Sequence, residues 1–330
     1  MRQYIIRRLI QSVFIVFVLS VVVFILLRLA PGDPVTVICG LNCTDERYDA
    51  IRDDLGLDEP WFPIAFERDL SFVSFTTTSQ YTLWAKSLVD GSLGTDFNQQ
   101  AVGPELQERL PFTVELLIIT LLVTVAIGVP FGIISAIYRN SPADFAVRLG
   151  AILGLAVPGF WVATMVLLIP QAQWDYAPPL TKTIPFFSDP WDNLRQFLPP
   201  AFVLGAVSAA GVMRLTRSSM LEVMRQDYIR TARSKGLRDQ VVIGRHALKN
   251  SVIPVVTVLG LEIATLFGGS VIIESVFNLR GIGNYFLAAL VRQDYPVVQT
   301  LTLYIGTVVV LLNLGVDVLY AWLDPRIRYS

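Results

Sequence analysis

The side chains best suited to bind a charged partner lie in one stretch between two long apolar segments. From Arg214 to Asn250, nine Lys and Arg residues stand against three acids. Apolar residues recur at helical spacing from Ser219 to Arg233, which predicts an amphipathic helix. Gly236 permits a left-handed turn after a helix end, and a second amphipathic helix is expected beyond it. A basic loop lying on acidic lipid needs no break at a fixed position, so this pattern favours a hairpin that docks a protein.

Residue sets for catalysis are missing from the sequence. His246 is the single histidine, and it lies in the basic stretch. No cluster has metal-ligand spacing, and none of the four lysines stands in a phosphate-binding Gly-x4-Gly-Lys-Ser/Thr loop. The sequence therefore predicts no enzyme, and any ATP that serves this protein is expected to bind another chain.

The composition predicts a membrane protein. Hydrophobic residues make up 53% of the 330-residue chain and charged residues 16%, against about 25% charged in soluble domains. Six apolar runs reach the length of about 20 residues that a spanning helix needs. They are residues 9–29, 112–137, 148–169, 198–217, 252–276 and 298–322. We therefore predict an all-α polytopic protein, with residues 1–111 as a first span plus a loop and 112–330 as a five-span core.

Charge asymmetry predicts the orientation. Sixteen of the 26 basic residues fall in the short ends and loops on one side, and Lys and Arg are retained in the cytoplasm. Both termini and the stretch 214–250 are therefore expected inside. The loop 30–111 is expected outside; it carries fourteen acids and five bases. Its two cysteines, Cys39 and Cys43, are equally compatible with a disulfide and with free thiols.

Four acids lie in or near the apolar runs. Glu115 and Glu274 fall near the predicted external ends, where we expect them to be hydrated. Glu262 and Asp317 lie deeper, so each is expected either to bond a neighbouring helix or to face a transport pathway. The small residues Gly268 and Gly269 are open to the same two interpretations, helix packing or pathway lining. The candidate pathway set is Glu262, Gly268, Gly269 and Asp317.

Proline and glycine predict the local breaks. We expect Pro111 to end a short helix over Val102–Arg109, and Pro158–Gly159 to weaken the third span. The Ser/Thr-rich segment 71–80 is predicted to be a loop, and Gly91–Gly94 a turn.

The hairpin resembles the EAA loop of ABC-importer permeases, with Ala232, Gly236 and Leu248 at matching positions. It is more similar still to the B-type permease of dipeptide and oligopeptide importers. That subfamily reads DYIRTARxKGL followed by RHALxN, and here Asp227–Leu237 reads DYIRTARSKGL and Arg245–Asn250 reads RHALKN. The resemblance implies contact with an ATPase. The residues it implies are Asp227, Tyr228, Arg230, Thr231, Ala232, Arg233, Lys235, Gly236, Leu237, His246 and Leu248.

Further motifs extend the resemblance over the whole chain. They are residues 30–34 (APGDP), 55–58 (LGLD), 91–94 (GSLG), 109–111 (RLP), 274–277 (ESVF), 281–283 (GIG), 294–299 (DYPVVQ) and 324–326 (DPR). The subfamily usually has Pro where this chain has Arg280, and Gly where it has Thr300. We expect these two departures to affect the external face.

The resemblance implies a subunit of an ATP-driven importer of dipeptides or oligopeptides that works by alternating access. The implied partners are a second, homologous permease, two ATPase subunits that carry ATP and Mg, an external solute-binding protein and membrane lipid, with no nucleic acid. No cofactor is expected on this chain, and the implied location is the bacterial cytoplasmic membrane. The alternatives are the same scaffold importing a nickel chelate, haem or glutathione, then a secondary transporter, and last a membrane enzyme.

Overall fold

The computed structural model describes residues 2–29, 34–39, 43–54, 56–66, 73–75, 78–97, 99–176 and 182–323. These residues are mainly helical. The helices are α1 (Arg2–Leu29), α2 (Pro34–Cys39), α3 (Asp45–Asp54), α4 (Gln80–Val89), α5 (Val102–Ile137), α6 (Pro142–Ala156), α7 (Gly159–Trp174), α8 (Pro190–Val223), α9 (Asp227–Ser234), α10 (Asp239–Val241), a π-helical turn (Val242–Ala247), α11 (Leu248–Val276), α12 (Ile282–Val291) and α13 (Tyr295–Leu323). The motifs at residues 30–33, Leu55 and 324–326 lie outside the described ranges.

Five helical segments of the described chain are long and apolar enough to cross a membrane. They are Gln3–Leu29, Val102–Ile137, Pro190–Val223, Asp239–Val276 and Tyr295–Val318. A sixth is obtained if α6 and α7 together form one span. The prediction of a polytopic helical membrane protein is thus confirmed.

The third predicted span is not one straight helix. Helices α6 and α7 meet at an angle of 96°, and the break falls at Val157–Pro158. Val157 is extended (φ −91°, ψ 127°), because a proline ring disfavours the helical conformation of the residue before it. The single span over residues 148–169 is therefore replaced by a bent pair of helices.

Two local expectations are wrong. Pro111 does not end a helix, since α5 continues through both Pro111 and Pro130. Proline is tolerated inside long apolar helices, where neighbouring groups compensate for the missing backbone hydrogen bond. Residues 71–80 are not only a loop, because β2 (Val73–Phe75) pairs antiparallel with β1 (Ile64–Phe66). The aromatic and β-branched residues of these strands favour extended backbone. The remaining described elements are helical, so the all-α class holds apart from this two-stranded hairpin.

The chain forms two compact units. The first contains residues 1–12, 111–284 and 308–330, and the second contains 13–110 and 285–307. Two of the buried clusters in the first unit surround the ends of α8. The α7–α8 core consists of Leu116, Ala163, Phe197, Ala201, Val203, Ile273, Phe277 and Leu279. The hairpin core consists of Ala136, Met220, Ile229, Ala232, Val242 and Ala247.

An aromatic cluster organises the second unit. The rings of Phe62 and Tyr81 each lie within 5.3 Å of the buried Phe24 ring, and Trp84 lies 6.1 Å away. The Arg28 guanidinium stacks 3.6 Å over Phe24. It also donates hydrogen bonds to Gln80 (3.0 Å) and Gln299 (2.9 Å), so the cation is held by both a ring face and two amide oxygens.

Thr300 shows what one departure from the subfamily pattern does. Its hydroxyl accepts a hydrogen bond from the Trp84 indole at 3.3 Å and donates to the Leu93 carbonyl at 3.0 Å. Leu93 belongs to the predicted turn, where Gly91, Leu93 and Gly94 all have positive φ. Thr300 therefore ties this turn to α13.

In the same unit Cys39 and Cys43 form a disulfide, which decides between the two states that the sequence left open.

Candidate functional site

The basic hairpin begins where α8 ends. The chain turns at residues 224–226, α9 runs over Asp227–Ser234, and a helical segment returns from Asp239 into α11. The predicted helix Ser219–Arg233 is therefore divided, because Gln226 adopts an extended conformation (φ −71°, ψ 149°) before α9. The predicted break near Gly236 is confirmed.

Gly236 forms the turn through its left-handed backbone, with φ of +77°. The amide of Leu237 donates to the Ala232 carbonyl at 3.4 Å, and the amide of Gly236 donates to the Arg233 carbonyl at 2.9 Å. This pair of bonds is the Schellman pattern, which satisfies carbonyls left open at a helix end. A Cβ at Gly236 would meet nothing within 4 Å, so only backbone conformation restricts this position.

The inner face of α9 packs on the hairpin core. Ile229 and Ala232, three residues apart, are buried against Met220 of α8 and Val242 of the π-helical turn. Ala232 was expected to contact a partner, but it faces the chain's own core with 8% of its surface exposed. Its small side chain instead allows α9 to approach the π-helical turn closely.

The outer face of α9 and the following turn is exposed and basic. From Asp227 to Val241 four basic residues stand against two acids, a net charge of +2. Asp227 and Arg230 pair at 3.5 Å, as the spacing predicts. Arg233 pairs with Asp239 at 3.3 Å, across the Gly236 turn. The exposed members of the predicted coupling set are Asp227, Tyr228, Arg230, Thr231, Arg233, Lys235, Gly236 and Leu237.

Tyr228, His246 and Asn250 join α9 to the returning helix. The Asn250 amide donates to the Tyr228 hydroxyl and to the His246 carbonyl, both at 3.0 Å. The side chains of His246 and Leu248 are partly buried, and Leu248 packs against the hairpin core. These contacts fix the hairpin's shape, so its basic face is held on a rigid base.

That base contains a polar network that the sequence analysis missed. Asp144, in the first turn of α6, is fully buried. Arg217 of α8 donates to both of its carboxylate oxygens, at 2.9 and 3.0 Å. The Ser135 hydroxyl of α5 and the Asn140 amide also donate to it. The buried charge is thus neutralised and hydrogen-bonded, as a carboxylate removed from water requires.

Sequence gives only part of the signal for this network. Ser141 followed by Pro142 predicts a helix start, and the Ser141 hydroxyl accepts a hydrogen bond from the Asp144 amide at 3.3 Å. An acid in a first helical turn is ordinarily an exposed favourable charge. Arg217 is 73 residues away in sequence, so only the fold pairs it with Asp144.

The predicted pathway residues differ in their exposure and in their partners. Asp317 forms an ion pair with Arg8 at 3.1 Å, which gives it a structural partner on α1. Glu262 is partly buried, whereas Gly268 and Gly269 are exposed and a Cβ at either would meet nothing within 4 Å. The two glycines therefore border open space in the single chain. A pathway role for this set stays a prediction.

Glu274 is not hydrated, contrary to expectation. It is fully buried at the end of α11 and accepts hydrogen bonds from the amides of Gly283 (2.7 Å) and Asn284 (3.2 Å). These are the first amides of α12, whose positive dipole end suits a carboxylate. Glu274 thereby explains the Gly-Ile-Gly motif, because a Cβ at Gly281 would collide with its carboxylate.

No group of His, Cys, Asp or Glu in the described ranges has the geometry of a metal site.

Comparison with known families agrees with this geometry. The family model of the inner membrane component of binding-protein-dependent transport systems matches residues 128–329. The N-terminal model of the membrane component of such systems matches residues 1–117. The chain belongs to this family. It is therefore a multi-pass membrane permease subunit of an ABC importer, whose ATPase is a separate subunit.

Full-length relatives give the same assignment. The chain is 33% identical to the oligopeptide transport system permease protein AppB of Bacillus subtilis (strain 168), over 332 residues. It is 35% identical to the dipeptide transport system permease protein DppB of Alkalihalophilus pseudofirmus, over 349 residues. A Brucella abortus (strain 2308) protein named for a peptide transport system permease is 36% identical over 331 residues. Each alignment covers all of both chains.

Proposed function

We propose that this chain is one of two different permeases in an importer of dipeptides or oligopeptides in the bacterial cytoplasmic membrane. Two ATPase subunits bind ATP and Mg inside the cell, and a solute-binding protein delivers peptide from outside. The peptide class is supported by the names of the full-length relatives. No cofactor is assigned to this chain.

The hairpin carries the ATPase-coupled part of the proposal. It presents an exposed basic face from Asp227 to Val241, while Ile229 and Ala232 bind its other face to the chain's own core. A protein partner that pushes on this face moves the ends of α5 and α8 with it, because the hairpin core includes residues of both helices. Such a connection suits alternating access, which needs two packings whose balance a partner shifts.

The proposed topology has six spans, with α6 and α7 forming one bent span and both termini inside. The excess of Lys and Arg in the terminal segments and in the hairpin supports this orientation. It places the hairpin beside the ATPases and the acidic segment 43–110 beside the binding protein. The candidate pathway residues Glu262, Gly268 and Gly269 then line the route between the two permeases.

Cysteine cross-linking tests the proposal. The only two cysteines of the chain are bonded to each other, so an added cysteine is the single free thiol. Ser234→Cys on α9 is expected to cross-link to a co-expressed ATPase and to react with an impermeant thiol reagent only from the cytoplasmic side. Ser188→Cys, before α8, is expected to react only from outside and to give no ATPase cross-link. An externally labelled Ser234→Cys would contradict both the topology and the docking site.

A further inference from the structure

The position of Asp144 suggests a role beyond local stability. Its partners stand immediately beside the hairpin core: Ser135 precedes Ala136, and Arg217 lies one helical turn before Met220. The same helix ends therefore hold both the polar network and the base of the hairpin. A displacement of the hairpin acts directly on the groups that bind Asp144.

Helix α6 has no residue in the hairpin core. It packs on the middle of α8 through Ala151, which contacts Ala210 and Met213. At its hairpin end, α6 is held by the hydrogen bonds to the Asp144 carboxylate and by the cap at Ser141. Asp144 is thus the strongest described link between α6 and the base of the hairpin.

Helix α7 belongs to a different cluster. Ala163 is buried in the α7–α8 core with Phe197, Ile273 and Phe277, and none of these residues belongs to the hairpin core. The 96° bend at Val157–Pro158 separates this helix from α6. Since Pro158 removes a backbone hydrogen bond there, the bend is the weakest point between the two helices.

We propose that Asp144 is a positioning residue for coupling: through Arg217 and Ser135 it makes α6 move with the hairpin as one rigid body. The bend at Val157–Pro158 then absorbs the displacement relative to α7. The role rests on the proposed function, because it presupposes that an ATPase moves the hairpin. Because Asp144 is fully buried, this role is exerted through Arg217 and Ser135 and not through contact with peptide or nucleotide.

The buried position makes this link sensitive to a loss of charge. Asn at position 144 keeps the shape and accepts hydrogen bonds at one oxygen only, so the two-pronged contact with Arg217 is lost. Gln at position 217 removes the cation that donates to both carboxylate oxygens, and only the half-exposed Arg148, at 3.4 Å, then remains beside the buried charge. Both changes loosen the same contact from opposite sides, and the double variant is expected to be no worse than either single one.

The first test measures the coupling ratio, peptide imported per ATP hydrolysed. The whole transporter is assembled in proteoliposomes with loaded binding protein and a labelled tripeptide as probe. Asp144→Asn, Arg217→Gln and the double variant are each expected to lower this ratio about tenfold relative to wild type. Two substitutions are the matched controls, and both are expected to keep the wild-type ratio. Arg148→Gln removes a half-exposed 3.4 Å contact with Asp144, and Asp192→Asn breaks an exposed ion pair on α8.

If Asp144→Asn keeps the wild-type coupling ratio, the inference is overturned. This includes the case in which peptide import and ATP hydrolysis both fall only because less transporter is assembled. If wild type itself imports no peptide with ATP, the proposed function fails and this inference falls with it. If wild type imports peptide with ATP but the variants keep its coupling ratio, the proposed function stands and the role of Asp144 is rejected.

The second test keeps the Asp144 network intact. Spin labels are attached at the exposed positions Ser234 of α9, Leu149 of α6 and Leu168 of α7, in pairs, and distances are measured with and without trapped nucleotide. The distance from Ser234 to Leu149 is expected to stay constant, while that from Ser234 to Leu168 changes. A change in the first distance as large as in the second contradicts a rigid body of hairpin and α6.

Discussion

The buried carboxylate of Glu274 accepts a hydrogen bond from the backbone amide of Gly283 at 2.7 Å. This contact places the end of α11 against the beginning of α12. The neighbouring amide of Ile282 donates to the Thr113 hydroxyl of α5 at 2.9 Å, so three helices meet at one junction. The glycines of the motif are required by this close approach.

Gly283→Ala is expected to destabilise the first unit by about 1–3 kcal/mol, because the added Cβ collides with the backbone of Val271. Thermal unfolding of the purified protein in detergent measures the effect. Gly269→Ala is the matched control: it lies in α11 of the same unit, and its Cβ would meet nothing within 4 Å. Equal melting temperatures for Gly283→Ala and the control would show that the junction is not tightly packed.

Sequence reasoning predicted the elements of this protein better than their junctions. Hydropathy found the long helices, and the spacing around Gly236 found the hairpin turn, because both signals are local. Glu274 was expected to be hydrated and Asp144 was missed, because burial of a carboxylate depends on partners far away in sequence. The resemblance placed Ala232 among the residues implied to contact an ATPase, whereas the fold buries it in the hairpin core, because a sequence motif does not show what covers an apolar side chain.

At Gly236 the expected order of function is Gly, then Asn, then Ala, then Val. Asn tolerates the left-handed conformation better than other residues, whereas a β-branched side chain is strained there by more than about 1 kcal/mol. Open space around the position means that size alone has no effect. ATP hydrolysis stimulated by loaded binding protein, measured in the assembled transporter, reports the order. Wild-type stimulation in Gly236→Val would show that the turn conformation is unimportant.

The ion pair between Arg8 and Asp317 is partly exposed, so we expect it to contribute about 0.2–1 kcal/mol of coupling energy. Arg8→Gln leaves Asp317 unpaired and lowers the melting temperature, and Asp317→Asn in the same chain restores part of it. A double-mutant cycle in detergent measures the coupling. Additive effects of the two substitutions would mean that the pair stabilises nothing, and Asp317 would keep only its predicted pathway role.

Asp294 gives the second unit a pH dependence. Burial raises its pKa above the ordinary value of 3.8, although the amides of Phe97 and Val297 donate hydrogen bonds to its carboxylate. The folded state therefore binds the proton more tightly than the unfolded state, and stability falls as pH rises through the window between 3.8 and the raised pKa. When the pH is lowered from neutral into that window, the melting temperature of wild type is expected to rise relative to that of Asp294→Asn. An identical pH profile for the two proteins would contradict this.

We expect this permease to import peptide with energy taken from a separate ATPase. The most direct measurement is accumulation of a labelled tripeptide in proteoliposomes that hold the complete transporter. We expect uptake that requires both ATP on the hairpin side and binding protein on the other side, and that stops when the ATPase subunits are catalytically inactive. Uptake driven by a proton gradient without ATP, or ATP-driven uptake of a nickel chelate, haem or glutathione but not of peptide, would contradict it.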